Sequence, residues 1–170
     1  MIVRKVMLLG EMAVGKTSIA NRLAFDRFGE SYKSTIGTDI YVYDVEARPG
    51  DKPFRFLIWD TDGSFEDAMF RSHYMRGAHA AIIVGDLTRR KTLESQLRLA
   101  QKFSEALPGR YFAAVLNKND LRDEVPMDDN WVPEGLRRPF FPVIETSAKS
   151  GHNIKRTFQD AAETIARRDL

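Results

Sequence analysis

The 170-residue sequence contains no cysteine. That excludes disulfides, cysteine-ligated zinc, thiol nucleophiles and every cysteine-linked lipid anchor. It also lacks a long hydrophobic run. The best, around Ala80–Val84, falls far short of the ~18 residues of a membrane helix. The start, Met1-Ile2-Val3-Arg4-Lys5, has no signal-peptide shape, and Ile2 stands where myristoylation needs a glycine. Neither sign of charge dominates: 26 Lys+Arg against 24 Asp+Glu leave +2, too little to argue for nucleic acid or an anionic membrane. Repeats, low-complexity stretches and Pro/Gly/Ser linkers are missing too. What is present is an ordinary globular composition, 43% apolar and 29% charged, which excludes disorder, collagen and coiled coil as the main architecture. A chain of this length buries about two-thirds of its unfolded surface. The expectation is one domain over residues 1–170 and a cytoplasmic protein without direct lipid attachment.

Short apolar runs alternate with longer amphipathic segments. Strands are expected at Val3–Leu9, Tyr41–Glu46, Phe54–Trp59, Ala80–Val84, Phe112–Leu116 and Val143–Glu145. The second and third should form a hairpin about Arg48-Pro49-Gly50-Asp51. Helices are expected at Thr17–Phe25, at Thr92–Leu107 before Pro108-Gly109, and through Ile154, Phe158, Ala161, Ala162 and Ile165. Between Arg122 and Arg138 the chain is polar, and a short helix at most opens at Pro133. Buried strands alternating with helices imply an α/β sandwich around a mostly parallel sheet. Sites in such sheets lie at the carboxyl ends of strands, so the loops after Leu9, Trp59, Leu116 and Glu145 matter most.

After Leu9 the chain reads Gly10-Glu11-Met12-Ala13-Val14-Gly15-Lys16-Thr17, a G-x-x-x-x-G-K-[ST] phosphate loop between a strand and a helix. Its glycines let the backbone wrap a phosphate chain. The N–H groups of Ala13, Val14, Gly15, Lys16, Thr17 and Ser18 then face the anion at the positive end of the helix. Lys16 adds a mobile charge for the outer phosphates, and the Thr17 hydroxyl is placed to ligate Mg²⁺. Residue frequencies give this pattern roughly a 0.4% chance of arising at random, before its strand–helix context is required. The loop alone does not separate ATP from GTP.

After Leu116 comes Asn117-Lys118-Asn119-Asp120, and after Glu145 comes Thr146-Ser147-Ala148-Lys149. With these segments the chain resembles the Ras superfamily of small GTPases, most closely its Rab-like members. The resemblance implies a P-loop NTPase three-layer sandwich, with a six-stranded sheet, one antiparallel strand and about five helices. The guanine chemistry is sound on its own terms. A carboxylate at Asp120 accepts two hydrogen bonds from guanine N1–H and N2–H₂, a donor pair that adenine lacks. By resemblance, Asn117 ties this loop to the phosphate loop and the Lys118 stem packs on the base. Ala148 N–H meets the guanine carbonyl, within the segment that starts at Ser147, and Lys149 lies over the base. Ser34-Thr35-Ile36-Gly37 matches the first switch, so Thr35 would put its hydroxyl on Mg²⁺ and its N–H on the γ-phosphate. Phe28, seven residues earlier, would flank the base; the alternative is a core phenylalanine. Trp59-Asp60-Thr61-Asp62-Gly63 matches the second switch, where Asp60 would hold Mg²⁺ through water and Gly63 N–H would sense the γ-phosphate. Lys16, Thr35, Gly63 and Ser64 form the expected catalytic set. Thr17, Thr35 and Asp60 form the expected metal set.

Three residues depart from the family pattern. Ser64 stands at the position of the glutamine that orients the attacking water, and serine is too short to span the same distance. Met12 stands where a small residue admits an arginine finger. Asp62 replaces a small apolar residue beside the expected γ-phosphate site, which would favour GDP unless the carboxylate points away. Slow hydrolysis follows, with Glu66 a candidate to position water. The polar Leu121–Arg138 segment replaces a longer helix. Within it Trp131 reads as an anchor and Arg137-Arg138 as a solvated face. Rab-like chains also continue into a prenylated cysteine tail, whereas this one stops at Arg167-Arg168-Asp169-Leu170, either trimmed or never lipidated.

His73, His79 and His152 are scattered singly, without metal-ligand spacing. Arg89-Arg90-Lys91 and Arg167-Arg168 read as helix-end or surface charge. Three functions compete: a GTPase switch, a guanine-nucleotide interaction module with little hydrolysis, and a P-loop kinase or ATPase. Asp120 argues against the last. A monomer that binds guanine nucleotide and no nucleic acid is expected. By resemblance alone, its protein partners would be effectors, exchange factors and GTPase-activating proteins.

Overall fold

A computed structural model describes residues 1–29, 37–63, 70, 73–125, 128–139, 141–168 and 170. The strands are β1 (Ile2–Leu9), β2 (Thr38–Val45), β3 (Phe54–Thr61), β4 (Ala78–Asp86), β5 (Tyr111–Asn117) and β6 (Val143–Glu145). They form one sheet in the order β2-β3-β1-β4-β5-β6, parallel throughout except for the antiparallel β2–β3 hairpin. The described residues hold three α-helices, α1 (Lys16–Phe25), α2 (Arg90–Ala106) and α3 (Ile154–Arg168), with three short 3-10 turns. With the 3-10 turns counted, this is near the helix number of about five that the resemblance implies.

The two-residue period of the strands divides the core. Val6 and Leu8 of β1 face α1 and α3, packing with Ile19, Leu23, Phe158 and Ile165. Met7 and Leu9 face the other way, onto Leu99, Ala100 and Phe103 of α2. The sheet is thus covered on both faces, which explains why its central strands read as unbroken apolar runs. Chain direction diverges at β1, whose neighbours are β3 and β4. That opens the crevice beyond Leu9, at a topological switch point.

All six strands read from the apolar runs and the three helices read from the periodicity are present, with ends displaced by a few residues. β2 starts at Thr38 because Thr38 and Asp39 pair with Thr61 and Asp60. It stops before Glu46, whose carboxylate accepts the Gly50 N–H of the turn at 3.1 Å. The turn Glu134–Arg137 begins beside Pro133, as expected. Trp131 is an anchor: its indole N–H donates to the Leu87 carbonyl at 2.7 Å, over a small cluster of Leu93, Leu116 and Leu136. Arg137 and Arg138 are exposed.

His79 marks an irregularity that the sequence pattern hides. Lys5 pairs with Ala78 and Val6 with Ala80, so His79 is an extra residue in β4. Its Nδ1 accepts the Lys5 N–H at 3.2 Å, replacing the lost ladder bond. Burial, then the charges of Arg4 and Arg110, lower its pKa below 6.5. The unfolded chain therefore binds more protons than the folded one just below pH 6.5. This contribution to stability is complete above that pH and is lost as pH falls. Urea midpoints between pH 7 and pH 5 should fall more steeply for the parent than for His79→Gln, which keeps an acceptor but does not titrate. Parallel curves would remove His79 from the acid response.

Candidate functional site

The loop from Gly10 to Gly15 leaves β1 and enters α1. Its shape depends on glycine at both ends. At Gly10 (φ +144°) a Cβ would lie 2.2 Å from the Val84 carbonyl oxygen, and at Gly15 (φ +101°) 2.3 Å from Asn117 Nδ2. Between them, donors from other parts of the chain take three successive carbonyls. Arg89 Nη2 donates to Met12 O at 2.8 Å, Lys118 Nζ to Ala13 O at 2.9 Å, and Asn117 Nδ2 to Val14 O at 3.0 Å. In a trans peptide the following N–H points opposite to the carbonyl. The N–H groups of Ala13, Val14 and Gly15 are therefore turned to the other side of the loop, as an anion nest requires. Buried Lys16 donates to Gly10 O at 2.7 Å and Glu11 O at 2.8 Å. Ser18 sits in the first turn of α1.

Beside the loop, Thr17 Oγ1 donates to Asp60 Oδ2 at 2.5 Å. Asp60 is fully buried near the end of β3. Gly63 presses on the loop backbone, where a Cβ would come within 2.5 Å of Met12 N and 2.6 Å of the Glu11 carbonyl carbon. Asp62 N–H donates to Gly37 O at 3.1 Å, joining the segments either side of β2 and β3. Met12 is half exposed, and Phe28 is 38% exposed, which removes the alternative of a core phenylalanine. Thr35 and Ser64, with Ser34, Ile36 and Glu66, lie outside the described residues.

The two polar loops after β5 and β6 meet at Asn117, only 1% exposed. Its Oδ1 accepts from Thr146 Oγ1 and Ala148 N–H, both at 3.2 Å. One side chain thus joins the loop after β5, the loop after β6 and, through Val14, the phosphate loop. Asp120 is exposed, and one of its oxygens accepts the Ser147 hydroxyl at 2.6 Å, which fixes its plane. Lys118 Nζ also donates to Asp86 Oδ2 at 2.6 Å. Burial alone would raise the Asp86 pKa, but hydrogen bonds from Lys118 and Thr88 outweigh it and hold the carboxyl below its ordinary value.

Two supports have no motif in the sequence. Arg22 of α1 donates to Ala148 O at 2.8 Å and to Lys149 O at 2.6 Å, clamping the last loop while the Lys149 side chain stays exposed. Asp86 closes β4, a strand end outside the four loops singled out from the sequence, though it too is a carboxyl end of the sheet.

A sequence model of the Ras family matches residues 5–167. The chain belongs to the Ras family. It is also similar to the Ras-related protein Rab-1A of Dictyostelium discoideum, 33% identical over 165 residues, or 96% of this chain and 81% of that protein. Ras-family proteins are GTP-binding switches that hydrolyse GTP, bind GTP and GDP, typically with Mg²⁺, and engage regulators and effectors. The chain is accordingly a Rab-like small GTPase. Among the described residues no helix is long and apolar enough to cross a membrane.

The side chains of this Ras-family site suit a hard cation. Thr17 and Asp60 bring a hydroxyl and a carboxylate together beside Lys16. No three His, Asp or Glu side chains converge among the described residues. Mg²⁺ fits such a two-oxygen arrangement, because it takes few protein ligands and completes its shell with phosphate oxygens and water.

Proposed function

We propose that the chain, residues 1–170, works as one Mg²⁺-dependent guanine-nucleotide switch with slow intrinsic GTP hydrolysis. The observation that supports this most is Asn117, which ties the Asp120 loop and the Ala148 loop to the phosphate loop. A base held at one end is thereby set at a fixed distance from phosphates held at the other. Asp120 accepts N1–H and N2–H₂ of guanine. The N–H groups of Ala13, Val14 and Gly15 and the Lys16 ammonium hold the phosphates. Thr17, Thr35 and Asp60 would hold Mg²⁺, which supplies charge for the β- and γ-phosphate oxygens. Gly63, in contact with the phosphate loop, carries the γ-phosphate signal into the segment that follows.

Hydrolysis transfers the γ-phosphoryl group to water, and positioning that water is most of what the protein contributes. Ser64 is too short for the task that a glutamine performs. The purified protein should release guanine nucleotide; adenine nucleotide would overturn the reading. In single-turnover assays Ser64→Gln should raise the rate about tenfold or more over the parent, with Met12→Gly measured alongside. A parent already as fast as glutamine-bearing relatives sinks the slow-hydrolysis half. A parent that binds GTP but never turns over favours the second reading, an interaction module, which Ser64 also supports. On either reading the segments Ser31–Thr38 and Asp60–Met75 present the nucleotide state to effectors, exchange factors and activating proteins. We place the protein in the cytoplasm as a monomer.

A further inference from the structure

Arg89, Arg90 and Lys91 put three cations at the N-terminal end of α2, with no acidic residue in its first turn. That is the wrong sign for the helix dipole. Arg89 is also the N-cap, where Ser, Thr, Asp or Asn is favoured, and its side chain makes no capping bond. A local rule broken this way marks a place where something other than the helix is served. Arg90 turns along the helix to Glu94 at 3.1 Å, an exposed pair. Arg89 turns instead to the phosphate loop. Its Nε donates to Asp86 Oδ2 at 3.0 Å and its Nη2 to the Met12 carbonyl at 2.8 Å.

We propose that Arg89 is a positioning residue for nucleotide binding: braced on the buried Asp86 carboxylate, it holds the Met12 carbonyl away from the phosphates and so aims the Ala13 N–H at them. This rests on reading the loop as the guanine-nucleotide site. Asp86 Oδ2 carries two cations, Lys118 and Arg89, whose other donors hold the consecutive carbonyls of Ala13 and Met12. The other oxygen, Oδ1, accepts Thr88 N–H at 2.9 Å and Thr88 Oγ1 at 2.7 Å, so the carboxylate cannot swing away. Two cations on one anion leave a net positive charge behind a loop that receives an anion. α2 grips the loop a second time, one residue earlier, where Ser95 Oγ donates to the Glu11 carboxylate. Arg89 meets Asp86 and Met12 with two different nitrogens of one planar fork, a spacing that a single lysine ammonium matches less well.

The test is the dissociation rate of N-methylanthraniloyl-GDP from the full chain at fixed Mg²⁺, well below the melting temperature. Arg89→Gln should accelerate dissociation about tenfold, the scale of one charge-assisted hydrogen bond. Arg89→Lys should accelerate it by a smaller factor, because it keeps the charge but not the fork. Arg90→Gln should match the parent. In an Asp86→Asn background, Arg89→Gln should add less than it does alone, since the brace is already gone. A purely structural role would lower the melting temperature of the nucleotide-free protein and leave dissociation unchanged. Rates for Arg89→Gln and Arg89→Lys both equal to the parent's would overturn the proposal. If Arg89→Gln does not fold, Arg89→Lys decides alone, acceleration supporting the proposal and parity rejecting it. A parent that holds no guanine nucleotide would instead reject the reading of the site.

Discussion

Gly10→Ala should unfold the protein or leave it barely folded. The new methyl would sit 2.2 Å from the Val84 carbonyl oxygen and 3.2 Å from Val14 Cγ2, at φ +144°. Val84 lies in β4, paired to β1 and β5 on its two sides, so the atom that must give way is backbone within the sheet. Strain of the dihedral and displacement of β4 together should cost about 4 kcal/mol or more. That is comparable with the whole stability of many domains, about 5–15 kcal/mol. Gly109→Ala is the matched control. Gly109 also has a positive φ, +79°, but nothing lies within 4 Å of its would-be Cβ, so only the dihedral term of about 1 kcal/mol remains. Urea denaturation of the three proteins measures both. Equal losses in the two variants would show that contact with β4 is not what requires glycine.

Asp120→Asn should leave stability almost untouched and exchange the base that is bound. Asp120 is exposed and its described role in the fold is to accept the Ser147 hydroxyl, which an amide oxygen also accepts. The expected stability change is within about 0.5 kcal/mol. Guanine, however, presents two donors to a carboxylate, and the amide NH₂ would face one of them. Losing that pair should weaken GDP binding about a thousandfold. Xanthine carries a carbonyl where guanine has its amino group, so the amide NH₂ can donate to it and XDP should bind better to the variant than GDP. Competition of GDP and XDP for the labelled protein reads this directly. An unchanged GDP preference would take Asp120 out of base recognition.

Both variants sit on features legible in the sequence, for a physical reason. The phosphate loop and the Asn117–Asp120 segment are contiguous, and each needs particular side chains at fixed offsets. The central strands β1, β4 and β5 were legible because burial on both faces leaves apolar runs that polar loops interrupt. The tie from Asn117 to the phosphate loop is implied by the resemblance; the other grips on backbone carbonyls were not legible. Arg22, Arg89 and Lys118 all act on backbone carbonyls far along the chain. A carbonyl has no residue identity, so no pattern betrays its partner. Arg89 stands at a helix end, as its cluster reads, but its bond to the Met12 carbonyl leaves no sequence signal for that reason. His79 escaped because an extra residue in a strand leaves the alternation of its neighbours looking intact. Ends of strands were misplaced at Thr38 and Asp86, where polar residues with weak strand preference are held by ladder partners rather than by their own propensity.

The gripped carbonyls of Met12, Ala13 and Val14 have a thermal consequence. Their donors belong to residues 89, 117 and 118, brought together only when the sheet is complete. A ligand that needs this loop therefore binds the folded chain and ignores the unfolded one. At a free concentration a thousand times its dissociation constant, it adds about 4.1 kcal/mol to stability by mass action. For a protein of this size that is on the order of 8–16 °C in melting temperature. The melting point is then a gauge of the free nucleotide around the protein as much as a property of the chain. When nucleotide is depleted, heat and proteases find a weaker molecule.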